Sequence, residues 1–128
     1  MTFLLDTHTF LWLAAEPEKL SPKIQAIVEQ EASQLLLSAA SGWEIALFWK
    51  LGRIELPESP ATFVPAATQA LHITPLPIGF VTAIAAATLP LIHRDPFDRI
   101  LAAEALRNNI ALLSKDDIIP RYGVRVVW

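Results

Sequence analysis

Apolar residues in this 128-residue chain recur in two rhythms, short unbroken runs and longer stretches with helical spacing. The runs are Thr2 to Leu5, Leu35-Leu36-Leu37, a short segment near His72–Thr74, Ala111 to Ser114, and Val124 to Val127. Runs this short and this apolar suit the strands of a buried parallel sheet. Between them, Phe10, Leu11, Leu13 and Ala14 predict a helix that Pro17 ends. Ser21-Pro22 reads as an N-cap with proline at the first helical position, and Ile24, Ile27 and Val28 line one face of the helix it starts. Ser38 or Ser41 is expected to cap a helix over Trp43–Leu51, and Gly52 terminates it. Past the link Leu56–Pro60, helices are expected near Ala61–Leu71 and from Pro77 to Leu89. The best-marked helix starts at Asp95-Pro96-Phe97-Asp98, with Asp95 as N-cap and Asp98 three residues in, and stops at Asn108-Asn109. Strands alternating with helices imply right-handed crossovers. The expected fold is one α/β domain over residues 1–128, a three-layer α/β/α sandwich around a central, mostly parallel sheet of four to five strands.

In such folds the carboxyl ends of the strands and the N-termini of the helices share one edge, and ligands bind there. Four acids fall on it. Asp6 closes the first strand, Glu44 and Asp98 are expected in first helical turns, and Asp116 follows the fourth strand. Singly, each has a structural explanation, since an acid in a first turn stabilises a helix by about 0.3–1 kcal/mol. Together they raise one another's pKa unless a cation holds them. An all-oxygen set suits Mg2+ or Mn2+, and such a site supports in-line displacement at phosphorus. His8 and His93 flank these acids in sequence. Neither has a second His at metal-binding spacing, so substrate or structural contacts are expected of them rather than metal ligation. Trp12, Trp43 and Trp49 are expected in the core or a partner groove rather than as base-stacking platforms, and Trp128 is open to either role.

Composition narrows the function classes. Hydrophobic residues make up 53% of the chain, which predicts a well-filled core. There is no Cys, so disulfides, thiolate metal sites and cysteine nucleophiles are excluded, in keeping with a cytoplasmic location. No basic region precedes the first apolar run, so no signal peptide is expected. The net charge of −3 argues against nucleic-acid binding driven mainly by bulk positive charge, leaving a metal and a few local cations, or a basic partner, to do that work. Residues Ser59 to Ile92 carry no Asp, Glu, Lys or Arg. Five prolines interrupt this stretch, and no apolar run in it nears the roughly 20 residues of a membrane span. Its Phe80, Ile84 and Leu91 predict a surface for a homodimer or higher oligomer.

Four blocks carry a family resemblance. Leu4-Leu5-Asp6-Thr7-His8, Ser38 to Ala46 around Trp43-Glu44-Ile45-Ala46, His93 to Ala103 around Arg94-Asp95-Pro96-Phe97-Asp98-Arg99, and Leu113-Ser114-Lys115-Asp116 resemble the PIN domain, in this order and over nearly the whole chain. More narrowly, they resemble the VapC-type ribonuclease toxins of toxin–antitoxin pairs. The resemblance implies a Mg2+- or Mn2+-dependent endoribonuclease that cleaves RNA, pairs with a small cognate antitoxin and is usually dimeric. Carried over by position, Asp6, Glu44 and Asp98 match the family's main metal-binding and catalytic acids, and Asp116 the more variable fourth. Thr7 and Ser41 would steady the carboxylates or water, while Asp95 is assigned to helix capping. The chain departs from the pattern at Phe48, where the family often carries Lys. Lys50, Arg94, Arg99 and Lys115 are the candidate phosphate contacts in its place.

Two other readings remain in view. Asp6 could serve as the nucleophile of a phosphotransferase or phosphatase, but the haloacid-dehalogenase pattern needs a second Asp where His8 stands. The chain could also be a catalytically inactive PIN-like module that only binds a partner.

Overall fold

The computed structural model describes residues 1–128. Five strands, β1 (Thr2–Leu5), β2 (Gln34–Ser38), β3 (Ile73–Leu76), β4 (Ala111–Leu113) and β5 (Val126–Val127), form one sheet in the order β3-β2-β1-β4-β5. Every pairing is parallel, with Leu4 beside Leu36 on one side and Leu112 on the other. The helices are α1 (Thr7–Ala15), α2 (Pro22–Glu29), α3 (Ala39–Lys50), α4 (Pro60–Ala70), α5 (Phe80–Thr88) and α6 (Pro96–Asn108). Two 3-10 turns, Pro17–Lys19 and Ile119–Tyr122, complete the backbone.

Alternation along the strands makes the three layers. Phe3, Leu5, Leu35, Leu37, Ala111 and Leu113 point to one face, where Phe10, Ile24 and Ile45 from α1, α2 and α3 meet them. Leu4 and Leu112 point to the other face, against Leu101, Ala102 and Ala105 of α6 and Ile119 of the second 3-10 turn. Burying both faces is what permits strands with no polar side, so the unbroken apolar runs are a consequence of the layering. No helix is long and apolar enough to cross a membrane.

The helix-start signals hold. Ser21 Oγ accepts from the Ile24 N–H, and Asp95 Oδ1 accepts from the Phe97 and Asp98 N–H groups. Asn109 ends α6 in the left-handed region at φ 50°, a conformation asparagine tolerates better than most residues. Several boundaries differ from expectation, and β5 is only Val126–Val127 rather than Val124 to Val127. Ser38, not Ser41, caps α3, so this helix begins at Ala39 and Glu44 sits in its second turn. His72 takes a φ of 56°, which closes α4 and delays β3 to Ile73–Leu76. Pro75 lies within this strand, and an edge strand tolerates a residue without an N–H. Gly79 caps α5 in extended conformation, so the helix starts at Phe80 rather than Pro77.

Candidate active site

β1 and β4 lie side by side, and the chain leaves β1 toward β2 on one side while β4 leads to β5 on the other. A crevice opens at such a reversal. Asp6 stands at its floor: its N–H donates to Leu113 O, and its Oδ1 accepts from the Thr9 N–H at 2.8 Å, so the same carboxylate caps α1. Thr9 Oγ1 ties this corner to Leu113 O at 2.9 Å. Asp6, Glu44, Asp98 and Asp116 all line the resulting cleft of about 410 Å3, together with Asp95 and a single cation, Lys115.

Each acid is held differently. Glu44 is buried in α3 and its pKa is raised, first by burial and then by Asp95 and Asp6, against the opposing effects of the Thr7 hydroxyl and His8. Thr7 Oγ1 donates to Ser41 Oγ at 3.0 Å in a buried pair, so these two residues form a hydroxyl shelf beside Glu44. Asp98, in the first turn of α6, is pushed up to about 8 by burial and by Asp95, Glu44, Asp116 and Asp6. Asp116 moves the other way. Burial opposes its ionisation, but the His93 hydrogen bond and the Ile119 and Ile118 amides outweigh that and lower its pKa. Its Oδ1 accepts from the Ile118 and Ile119 N–H groups at 2.7 and 2.9 Å.

His93 joins the two halves of the acid set. Its Nε2 lies 3.0 Å from Asp116 Oδ2 and 3.2 Å from Asp98 Oδ2. Its Nδ1 accepts the Asp95 N–H at 3.2 Å, which leaves the ring proton on Nε2, shared by the two carboxylates. One ligand atom from each of His93, Asp98 and Asp116 falls within 4.8 Å of the others. With Nε2 protonated, however, the imidazole donates to the carboxylates, and the carboxylates are the donor set available to a cation. The donor chemistry fits a hard divalent ion: the groups are oxygens, and burial first and the neighbouring acids second raise the pKa values of Asp98 and Glu44, so a bound cation would favour their ionisation.

The candidate phosphate contacts divide sharply. Lys115 lines the cleft with its Nζ 5.5 Å from the ring centres of both Trp12 and Trp128. Arg94 is exposed beside Asp95, and Lys50 is exposed at the far end of α3; neither lines the cleft. Arg99 is a correction. It is buried, and its guanidinium reaches the carbonyls of Ala86, Ala87, Leu89, Pro90 and His93 and the Tyr122 hydroxyl. It therefore braces the segment between α5 and α6 and cannot face a phosphate. Tyr122 joins the brace, donating to Pro90 O and accepting from the His93 N–H, both at 2.8 Å.

Two groupings go beyond the sequence reading, which expected a phosphate contact of Arg99, a substrate or structural contact of His8 and a core or partner-groove place for Trp12. The Arg99–Tyr122 brace was signalled only by spacing, since Arg99 shares a helical face with Ala102 and Ala103, which are buried. The aromatic wall of the cleft, His8, Trp12 and Phe48, follows the same rule: His8 and Trp12 are four residues apart on α1, and Phe48 is four beyond Glu44 on α3. Trp43 and Trp49 are largely exposed, with Trp43 edge-on to Phe97 at 5.4 Å, so they are not core residues.

A three-layer α/β/α sandwich whose parallel sheet gathers carboxylates at the ends of its two central strands defines an acidic-site α/β protein. The chain belongs to the PIN domain family, whose sequence profile matches residues 3–124. It is 31% identical over 116 residues to Ribonuclease VapC22 of Mycobacterium tuberculosis, covering 90% of this chain and 87% of that protein. Ribonuclease VapC16 of the same organism is 41% identical over 54 residues, covering 42% of this chain and 38% of its own length. Among solved structures, VapBC2 from Rickettsia felis bound to a promoter DNA fragment superposes with a TM-score of 0.72 at 11% identity, over 99% of this chain and 98% of that one. A toxin–antitoxin complex from Klebsiella pneumoniae gives 0.65 at 18% identity, over 98% and 95%. These likenesses concern the fold.

Proposed function

We propose that this chain is a metal-dependent endoribonuclease that hydrolyses RNA phosphodiester bonds, acting as the toxin of a toxin–antitoxin pair. The observation that carries the reading is the meeting of Asp6, Glu44, Asp98 and Asp116, from four separate elements, in one cleft. The ribonuclease relative that spans most of the chain supports it. Asp6, Glu44 and Asp98 would hold Mg2+ or Mn2+, with Asp116 beside them. The chemistry such an ion supplies is activation of water and neutralisation of the charge that builds on the phosphate. The chain's own residues prepare the place. The Thr9 amide fixes one oxygen of Asp6, the Thr7–Ser41 pair supports Glu44, and the His93 proton holds Asp98 and Asp116 together. Lys115, the cation that lines the cleft, would meet a phosphate oxygen.

The same reading implies a small antitoxin and a second copy of the chain, in a cytoplasmic setting where RNA is at hand. For the antitoxin, an apolar groove of about 630 Å3 between α3, α4 and β3, lined by Leu37, Val64, Ile73 and Leu76, is the proposed seat. For the second copy it is the part of the uncharged segment 59–92 that lies outside this groove, where Phe80, Ile84 and Leu91 are exposed.

Incubating the purified chain with single-stranded RNA and Mn2+ tests the activity. Cleavage is expected, and Asp6→Asn should lower it by about a hundredfold or more, beyond what loss of a supporting residue does. If the parent leaves RNA intact, the chain is a partner-binding module instead; if Asp6→Asn cleaves as fast, the carboxylate cleft is not where the cleavage takes place.

A further inference from the structure

The cleft has two unlike walls. Carboxylates form one, and His8, Trp12 and Phe48 form the other. The His8 and Trp12 rings lie 5.8 Å apart and the His8 and Phe48 rings 6.2 Å apart. Trp128 meets Trp12 edge-on at 5.7 Å, brought there because the Ser114 N–H donates to Val127 O at the end of β5. Lys115 Nζ stands over both indole rings, 5.5 Å from each ring centre, at the seam between the aromatic wall and the acids. Trp12 also packs against the core, which accounts for one side of its indole but not for its place in the cleft lining.

We propose that this wall is a base-stacking subsite, which rests on the ribonuclease reading above. A nucleobase of single-stranded RNA lies against Trp12, flanked by His8 and Phe48, and displaces the Lys115 ammonium from over the ring so that it contacts an adjoining phosphate while the next phosphate faces the carboxylates. The charge balance favours such a contribution. With a net charge of −3 and one cation among the cleft residues, the chain cannot draw RNA in by electrostatics alone. Stacking on an aromatic side chain contributes about ten- to a hundredfold in affinity per base and is indifferent to sequence. It also selects single strands, since bases in a duplex are already stacked on one another. Phe48 fits the same logic. At Phe48 this chain presents another aromatic surface to the cleft.

Binding of an end-labelled eight-nucleotide RNA, measured by fluorescence anisotropy in the Asp6→Asn background with Mg2+, tests the subsite without reading turnover. A set of strands, each with one abasic position, keeps the phosphates and deletes one base at a time. One abasic position is expected to weaken binding about tenfold or more. Trp12→Leu should weaken the intact strand by a similar factor and abolish that abasic penalty, while Trp12→Phe keeps both. Should Trp12→Leu fail to fold, His8→Ala with Phe48→Leu serves in its place, with a partial loss expected. The proposal is overturned if no RNA binds, if every abasic strand binds like the intact one, if the penalty survives in Trp12→Leu, or if duplex RNA binds as well as single strands. The nuclease reading stands or falls separately: base-dependent binding without Mn2+-dependent cleavage in the parent retains the subsite and removes the enzyme. Cleavage without base dependence does the reverse.

Discussion

At the residue scale the acids resist ionising together without a counter-ion, and Asp98 shows it most clearly. Its pKa rises from an ordinary 3.8 to about 8 because it is desolvated among Asp95, Glu44, Asp116 and Asp6. Between those values the folded, ion-free chain keeps a proton that the unfolded chain has released. The unfolded state then binds fewer protons, and stability falls as pH rises across that window and levels off above it. Glu44 adds a slope of the same sign, while Asp116, with its lowered pKa, contributes stability that is lost only in acid. The thermal midpoint of chelated protein should therefore drop between about pH 5 and 8, by an amount on the order of a few kcal/mol in stability. Asp98→Asn should flatten most of the drop, and Mn2+ should reverse it in the parent. A flat profile for the chelated parent would contradict the account. The four acids were legible in the sequence because strand ends and helix starts leave local marks. The His93 proton was not, because its position depends on where the Asp95 amide points, and that is set by the folded loop.

Among the elements, α6 does the most to build the site, since it carries Asp98 on its first turn and Arg99 immediately after. The buried guanidinium satisfies carbonyls at the end of α5 and in the turn that follows, and so fixes the backbone that presents His93. Arg99→Met should destabilise the chain by about 3–5 kcal/mol in urea unfolding, because it strips several buried carbonyls of their donor at once. Amide exchange should speed up in residues 86–93 and leave β1 unchanged. A loss below about 0.5 kcal/mol would show Arg99 to be an ordinary surface cation after all. The helix limits set by Ser21-Pro22, Asp95-Pro96 and Asn109 could be read directly from caps and breakers. The turns at His72 and Gly79 and the two 3-10 segments could not, since each follows from how a helix must reverse to reach the sheet. The same limit moved Glu44 from the first turn of α3 to the second without moving it off the cleft. A residue one turn further along still faces the same way.

For the whole molecule, the uncharged segment between Ser59 and Ile92 leaves an apolar face that the fold itself does not cover. Phe80 and Leu91 are 88% and 89% exposed, and Ile84, one turn beyond Phe80 on α5, is 60% exposed. Apolar groups so open, with no Lys, Arg, Asp or Glu between them, are expected to be buried by association. A second copy is the occupant the composition favours, because a face without charge meets its own image without repulsion. The acid cleft lies at the strand ends beside α1, α3 and the start of α6, and none of its lining residues belongs to segment 59–92, so dimerisation there leaves the site open. Sedimentation of the parent should show a dimer at micromolar concentration. Phe80→Asp combined with Leu91→Asp should give a monomer with the same circular dichroism, since neither side chain holds the core together. If the parent remains monomeric throughout, the face serves another partner. If the double variant stays dimeric, the contact lies elsewhere on the fold. The absence of charge from these residues was plain in the sequence, but only the packing of α5 against α6, which turns Ala86 inward and leaves Phe80 and Ile84 outside, tells a surface from a core.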